Sequence, residues 1–118
     1  MRSFPLFLKL EGRPVLLVGA GSAAAAKLRL LGSAGARVTV IADTPSADLL
    51  AAVADARAEL VRNALSSQHL DSFDLVFGAT GNETDDRMVA ERAHAAGKLV
   101  DIVDRPELSD FTMPALVD

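Results

Sequence analysis

Short apolar runs of strand length alternate along this chain with stretches whose apolar residues recur at helical spacing, the sequence form of repeated strand–helix units. Pro14-Val15-Leu16-Leu17-Val18 has no polar position on either face and predicts a strand buried on both sides. Ala24, Leu28 and Leu31, with Leu30 beside them, then place an apolar stripe along a helix that stops between Gly32 and Gly35. Residues 37–41 predict a second strand. Thr44-Pro45-Ser46 supplies helix-start chemistry for a helix bearing Leu49, Leu50 and Val53, and Glu59-Leu60-Val61 predicts a short third strand. Residues 66–73 read as a short helix or turn, and residues 75–79 as a fourth strand. Asn82 caps a helix with Glu83, Asp85 and Asp86 in its first turns, where acids complement the helix dipole, and with Met88, Val89, Ala93 and Ala96 inward. Gly97 ends it. Residues 99–103 predict a fifth strand, Pro106 closes the turn after Asp104, and residues 111–118 predict a further strand.

Strands buried on both faces and joined by helices imply a parallel sheet between two helical layers. Right-handed crossovers then give an α/β fold, a Rossmann-like doubly wound sheet of order 3-2-1-4-5, with the C-terminal strand beyond the fifth. Residues 1–118 form a single three-layer domain, and an exposed last strand predicts self-association as a homodimer.

Composition narrows the function classes. Half the residues are hydrophobic, enough for a real core, and aromatics are 4% with no Trp or Tyr, as suits helices packed on aliphatic strands. A formal charge of −4 without a basic stripe argues against sequence-independent nucleic-acid binding. The absence of cysteine rules out disulfides and thiolate metal sites and fits a reducing compartment, for which the cytoplasm is the default. The apolar stretch before Lys9 is too short for a signal peptide, and Lys27 and Arg29 interrupt the Ala-rich stretch well short of a membrane span.

Gly19-Ala20-Gly21-Ser22-Ala23-Ala24 matches G-x-G-x-x-A between a strand and a helix, where a dinucleotide pyrophosphate would sit. Gly19 makes the tight turn, Gly21 lets the phosphates approach, Ala24 lets helix pack on strand, and the amides of Ser22 and Ala23 face the anion. Asp43, followed by Thr44, lies at the end of the second strand, where a carboxylate binds a ribose hydroxyl and repels a 2′-phosphate, favouring NAD over NADP. A solvated turn is the alternative for Asp43. Thr80, after the fourth strand, is placed to contact the nicotinamide half or to act with Asn82 as a capping residue. Asp104 ends the fifth strand at the ligand-binding edge, as an acid, a base, a metal ligand or a solvated turn residue. His69 and His94 lack ligand spacing and are expected at the surface, and no protein metal site is expected.

Several motifs together resemble the N-terminal domain of siroheme synthase, the precorrin-2 dehydrogenase and sirohydrochlorin ferrochelatase family. They are Leu6-Phe7, Val18-Gly19-Ala20-Gly21 with Lys27 and Leu30-Leu31, Gly35-Ala36-Arg37-Val38-Thr39-Val40, Phe77-Gly78-Ala79-Thr80, Gly97-Lys98-Leu99-Val100, Ile102-Val103-Asp104-Arg105-Pro106 and Asp110-Phe111-Thr112-Met113-Pro114-Ala115. The resemblance implies oxidation of precorrin-2 to sirohydrochlorin with NAD⁺, and in many members insertion of Fe²⁺ as a second substrate, held by the pyrrole nitrogens. An aspartate at the position of Asp104 serves both steps there, as a general base. Where the family commonly shows Asn, this chain has Asp86 and Asp101, which add negative charge near a site for an octacarboxylate. Arg87 and Arg105 are the basic residues expected near it. Family members continue into a dimerisation region and a helical part, so residues 1–118 correspond to the NAD-binding domain. Two other readings are a nucleotide-sensing regulatory module and a cofactor-binding fragment without catalysis.

Overall fold

A computed structural model describes residues 3–65 and 67–113, the side chains of 67–69 apart. Five strands, β1 (Pro14–Val18), β2 (Arg37–Ile41), β3 (Glu59–Val61), β4 (Leu75–Gly78) and β5 (Leu99–Ile102), form one parallel sheet in the order β3-β2-β1-β4-β5. Three helices, α1 (Ser22–Ser33), α2 (Ala47–Ala56) and α3 (Glu83–Ala95), and two 3-10 turns, Ser67–Ser72 and Pro106–Leu108, complete the described elements. The doubly wound architecture and strand order are those expected from the alternation.

Each strand divides its side chains between two cores, because successive residues face opposite sides. Val15, Leu17, Val38, Val40 and Phe77 pack with Ala24, Leu28 and Leu31 of α1 and with Leu49 and Ala52 of α2. Leu16, Val18, Val76, Val100 and Ile102 pack on the other face with Val89, Ala90 and Ala93 of α3 and with Leu65, Leu70 and Phe73. Ser46 caps α2 by accepting from the Leu49 amide, and Asn82 caps α3 by accepting from Asp85. Arg57 ends α2 in the left-handed conformation.

Two apolar helix residues lie outside the core. Leu50 and Met88 are exposed, since each lies one step off the stripe filled by Leu49 with Ala52, or by Val89 with Ala93. In place of Met88, the inner face of α3 holds the buried carboxylate Asp86. The strands β4 and β5 each stop one residue earlier than the apolar runs predict, although the Ala79 and Val103 amides still donate to Val18 and Gly78.

The further strand expected over residues 111–118 is not formed by residues 111–113, and residues 114–118 lie outside the described residues. Ser109 and Asp110 occupy the open edge of β5, the Asp110 amide donating to the Val100 carbonyl at 2.8 Å. The Ile102 amide donates to the Ser109 hydroxyl at 2.9 Å and the Val100 amide to the Asp110 carboxylate at 2.9 Å. Phe111 then folds over the α1 face, edge-on to Phe77 at 5.6 Å between centroids. His94 is half exposed on Asp110 at 2.8 Å, whereas the expectation for His69 concerns a side chain outside the described set. No described helix is long and apolar enough to cross a membrane.

Candidate active site at the carboxyl edge of the sheet

In a doubly wound sheet the loops at the strands' carboxyl ends meet where the order reverses, between β1 and β4 here. Gly19 touches the β4 loop there. A Cβ on Gly19 would lie 2.3 Å from the Ala79 carbonyl oxygen, 2.8 Å from its carbon and 3.0 Å from the Ala24 Cβ. Its φ is not positive, so glycine is required for close approach of the two loops rather than for the tight turn the motif suggests. Ala24 is small for the same reason.

Gly21 is the opposite case. It precedes α1 in an extended conformation, and an added Cβ would meet no atom within 4 Å. The space it leaves open lies over the first turn of α1, with Ser22 and Ala23 exposed, no capping side chain and no acid. Unpaired amides at a helix N-terminus beside open space suit a pyrophosphate, so these residues fit a dinucleotide. Asp43 and Thr44 lie exposed at the end of β2, within the same edge, and the Ser46 amide ties their loop to Ala20 at 2.8 Å.

The Thr80 hydroxyl donates to Asp86 at 2.6 Å and accepts from the Asn82 amide at 3.2 Å. Its proton and one lone pair thus serve the start of α3. Asp86 also accepts from the Thr80 amide at 3.1 Å and from Arg105 Nε at 2.7 Å, although it is only 2% exposed. Three donors satisfy this buried carboxylate and brace the loop after β4 against the turn after β5. Arg87 is not part of this brace but pairs with Glu83 on the surface.

Asp104 stands on that turn, exposed, with φ of 63°, a left-handed conformation that Asp adopts more readily than most residues. It lines two clefts. One, of about 220 Å³, is bounded by Ala23, Ala79, Gly81 and Asp86, on the side of the glycine turn. The other, of about 250 Å³, is bounded by Lys27, Asp101, Ser109, Thr112 and Met113. Val103, Asp104 and Arg105 form the ridge between them.

At the floor of the second cleft Lys27 Nζ lies 3.8 Å from the Asp101 carboxylate and 5.7 Å from the centre of the Phe77 ring. The charges of Asp86 and Asp101, unbalanced in the sequence, are thus each matched by a cation, Arg105 and Lys27. Burial raises the pKa of Asp101 above the ordinary carboxylate value, with Lys27 and the Ser109 hydroxyl pulling it back. A folded pKa above the unfolded one favours folding below the unfolded value, and this contribution is lost as pH rises through the folded pKa. Asp101→Asn, which keeps the shape of the protonated acid at every pH, is therefore expected to melt above the parent at neutral pH, with the gap closing on acidification. Thermal melts across that range check this, and a lower melting temperature at neutral pH would contradict it.

An open glycine turn on α1, a carboxylate after β2 and a charged ridge after β5 define a dinucleotide-binding Rossmann domain. The comparisons agree: the chain belongs to the NAD(P)-binding family NAD-binding 7, which matches residues 6–115. It is 38% identical over its whole length to a siroheme synthase from Psychrobacter cryohalolentis and 39% identical to one from Stutzerimonas stutzeri, covering 23% and 25% of those proteins. The chain thus spans about a quarter of the length of these curated relatives. Among solved structures, a precorrin-2 dehydrogenase, SirC, superposes with a TM-score of 0.82 at 24% identity, over 98% of this chain and 57% of that one. The apo D-lactate dehydrogenase from Escherichia coli superposes with 0.59 at 17% identity, over 87% and 32%, so the fold is shared more widely than any one chemistry.

Proposed function

We propose that this chain is the NAD⁺-dependent dehydrogenase unit of siroheme biosynthesis, oxidising precorrin-2 to sirohydrochlorin with Asp104 as general base. The observation that carries this reading is the place of Asp104, on the ridge between the cleft beside the glycine turn and the cleft above Lys27. The similarity to siroheme synthases over the whole chain supports the substrate.

The oxidation removes a hydride and a proton from the macrocycle. Bound NAD⁺ supplies the hydride acceptor. The amides of Ser22 and Ala23 would hold its pyrophosphate, and Asp43 with Thr44 would bind the adenosine ribose and favour NAD⁺ over NADP⁺. An exposed carboxylate at the ridge takes the leaving proton, a role worth about 10²–10⁴-fold in rate. Fe²⁺, the second substrate implied by the resemblance, would enter the macrocycle as pyrrole protons leave to the same carboxylate. The pyrrole nitrogens of the macrocycle would be its ligands.

A homodimer in the cytoplasm completes the proposal, and the exposed apolar residues Phe4, Leu6, Phe7 and Leu8 support the pairing of two copies. A strict monomer by light scattering would remove that part. The functional reading is tested by supplying precorrin-2 with each nucleotide in turn. Sirohydrochlorin is expected with NAD⁺ and much less with NADP⁺. Nucleotide binding without sirohydrochlorin from either would reduce the domain to a sensing module.

A further inference from the structure

Asp101 occupies a position that packing does not explain. It pairs with Phe77 across the sheet and faces the α1 side, where an aliphatic residue would extend the core, yet it is a carboxylate only 7% exposed. Lys27 is its counterpart on α1, between Ala24 and Leu28 on the inner flank of that helix. Burying two charges is costly unless the pair is tight, and tight ammonium–carboxylate contacts are about 2.7–2.9 Å. This pair is separated by 3.8 Å. The ammonium thus keeps donor capacity, and it does so at the floor of a cleft whose other cation, Arg105, is already engaged by Asp86 at 2.7 Å.

We propose that Lys27 is the anion anchor of this cleft, binding a carboxylate of the substrate, and that Asp101 is an internal competitor that occupies the anchor when the cleft is empty. The inference rests on the functional reading for the identity of the substrate, a macrocycle carrying eight carboxylates. An incoming carboxylate meets Lys27 as attraction and Asp101 as repulsion, so the two residues act with opposite sign. The charged groups facing the anchor are Asp101 from β5 and Asp104 and Arg105 from the following turn, with the Ser109 hydroxyl beside them.

Opposite signs separate this role from a structural one, in which loss of either partner would weaken the protein in the same direction. In steady-state oxidation of precorrin-2 by the full-length protein, Lys27→Met is expected to raise the KM for precorrin-2 about tenfold, the loss of one charge-assisted contact, and to act on KM rather than kcat. Lys27→Arg is expected to restore most of it. Asp101→Asn is expected to lower KM below the parent's. An unchanged KM in Lys27→Met would overturn the anchor, and a raised KM in Asp101→Asn would overturn the competition. Fluorescence titration with uroporphyrin, a stable octacarboxylate, gives the same comparison without turnover. Weaker binding by Lys27→Met and tighter binding by Asp101→Asn support the inference even if the parent proves inactive, an outcome that sinks the functional reading alone. Equal affinity in all three proteins overturns it.

Discussion

Asp104→Asn is expected to lower the rate of NAD⁺-dependent sirohydrochlorin formation by about 10²–10⁴-fold, the contribution of a positioned base, while NAD⁺ still binds and the melting temperature stays near the parent's. The choice of Asn follows from the backbone. Asp104 has φ of 63°, a conformation that Asn shares readily, whereas Ala there would add strain and confound the result. The carboxylate is exposed, and the fixed contacts of this region run instead through its neighbour Arg105, bonded to Asp86 at 2.7 Å. Loss of the carboxylate should leave the brace between the two loops in place. Rate and thermal melt measured on one preparation decide the matter: a rate within a few-fold of the parent's would remove Asp104 from the chemistry.

The two glycines of the turn are expected to fail in different ways. Gly19→Ala drives a methyl to within 2.3 Å of the Ala79 carbonyl oxygen, and backbone on both sides cannot yield as a flexible side chain would. Overpacking of this kind costs about 1–3 kcal/mol, so the variant should melt well below the parent and bind NAD⁺ poorly. Gly21→Ala adds a methyl that meets nothing within 4 Å. That variant should melt like the parent yet bind NAD⁺ at least about tenfold more weakly, equivalent to about 1.4 kcal/mol, because the methyl enters space the pyrophosphate needs. Calorimetric titration beside thermal melts distinguishes the two, and a Gly21→Ala protein with parental affinity would place the cofactor elsewhere.

Local pattern made most of the sheet legible. The first three strands have the bounds their apolar runs predict, and both Ser46 and Asn82 cap the helices they were expected to start. The errors arise where local pattern is silent about the other side of a contact. Leu50 and Met88 are apolar residues one step off a stripe, and only packing decides which neighbour turns inward. Residues 111–113 read as the start of a strand, but Ser109 and Asp110 occupy the β5 edge and Phe111 packs edge-on against Phe77 instead. Asp86 and Asp101 looked like uncompensated charge because their partners are distant in sequence. A signal was present: Lys27 interrupts the inner flank of α1 and Asp101 interrupts an otherwise apolar strand, and the fold brings the two interruptions together.

The structure of a ternary complex with NAD⁺ and sirohydrochlorin tests most directly whether Asp104 joins a cofactor cleft to a substrate cleft. The predicted result has the nicotinamide in the cleft bounded by Ala23, Ala79 and Gly81, the tetrapyrrole above Lys27, and the Asp104 carboxylate between them. A tetrapyrrole bound away from this ridge, with Asp104 facing only solvent, would contradict it.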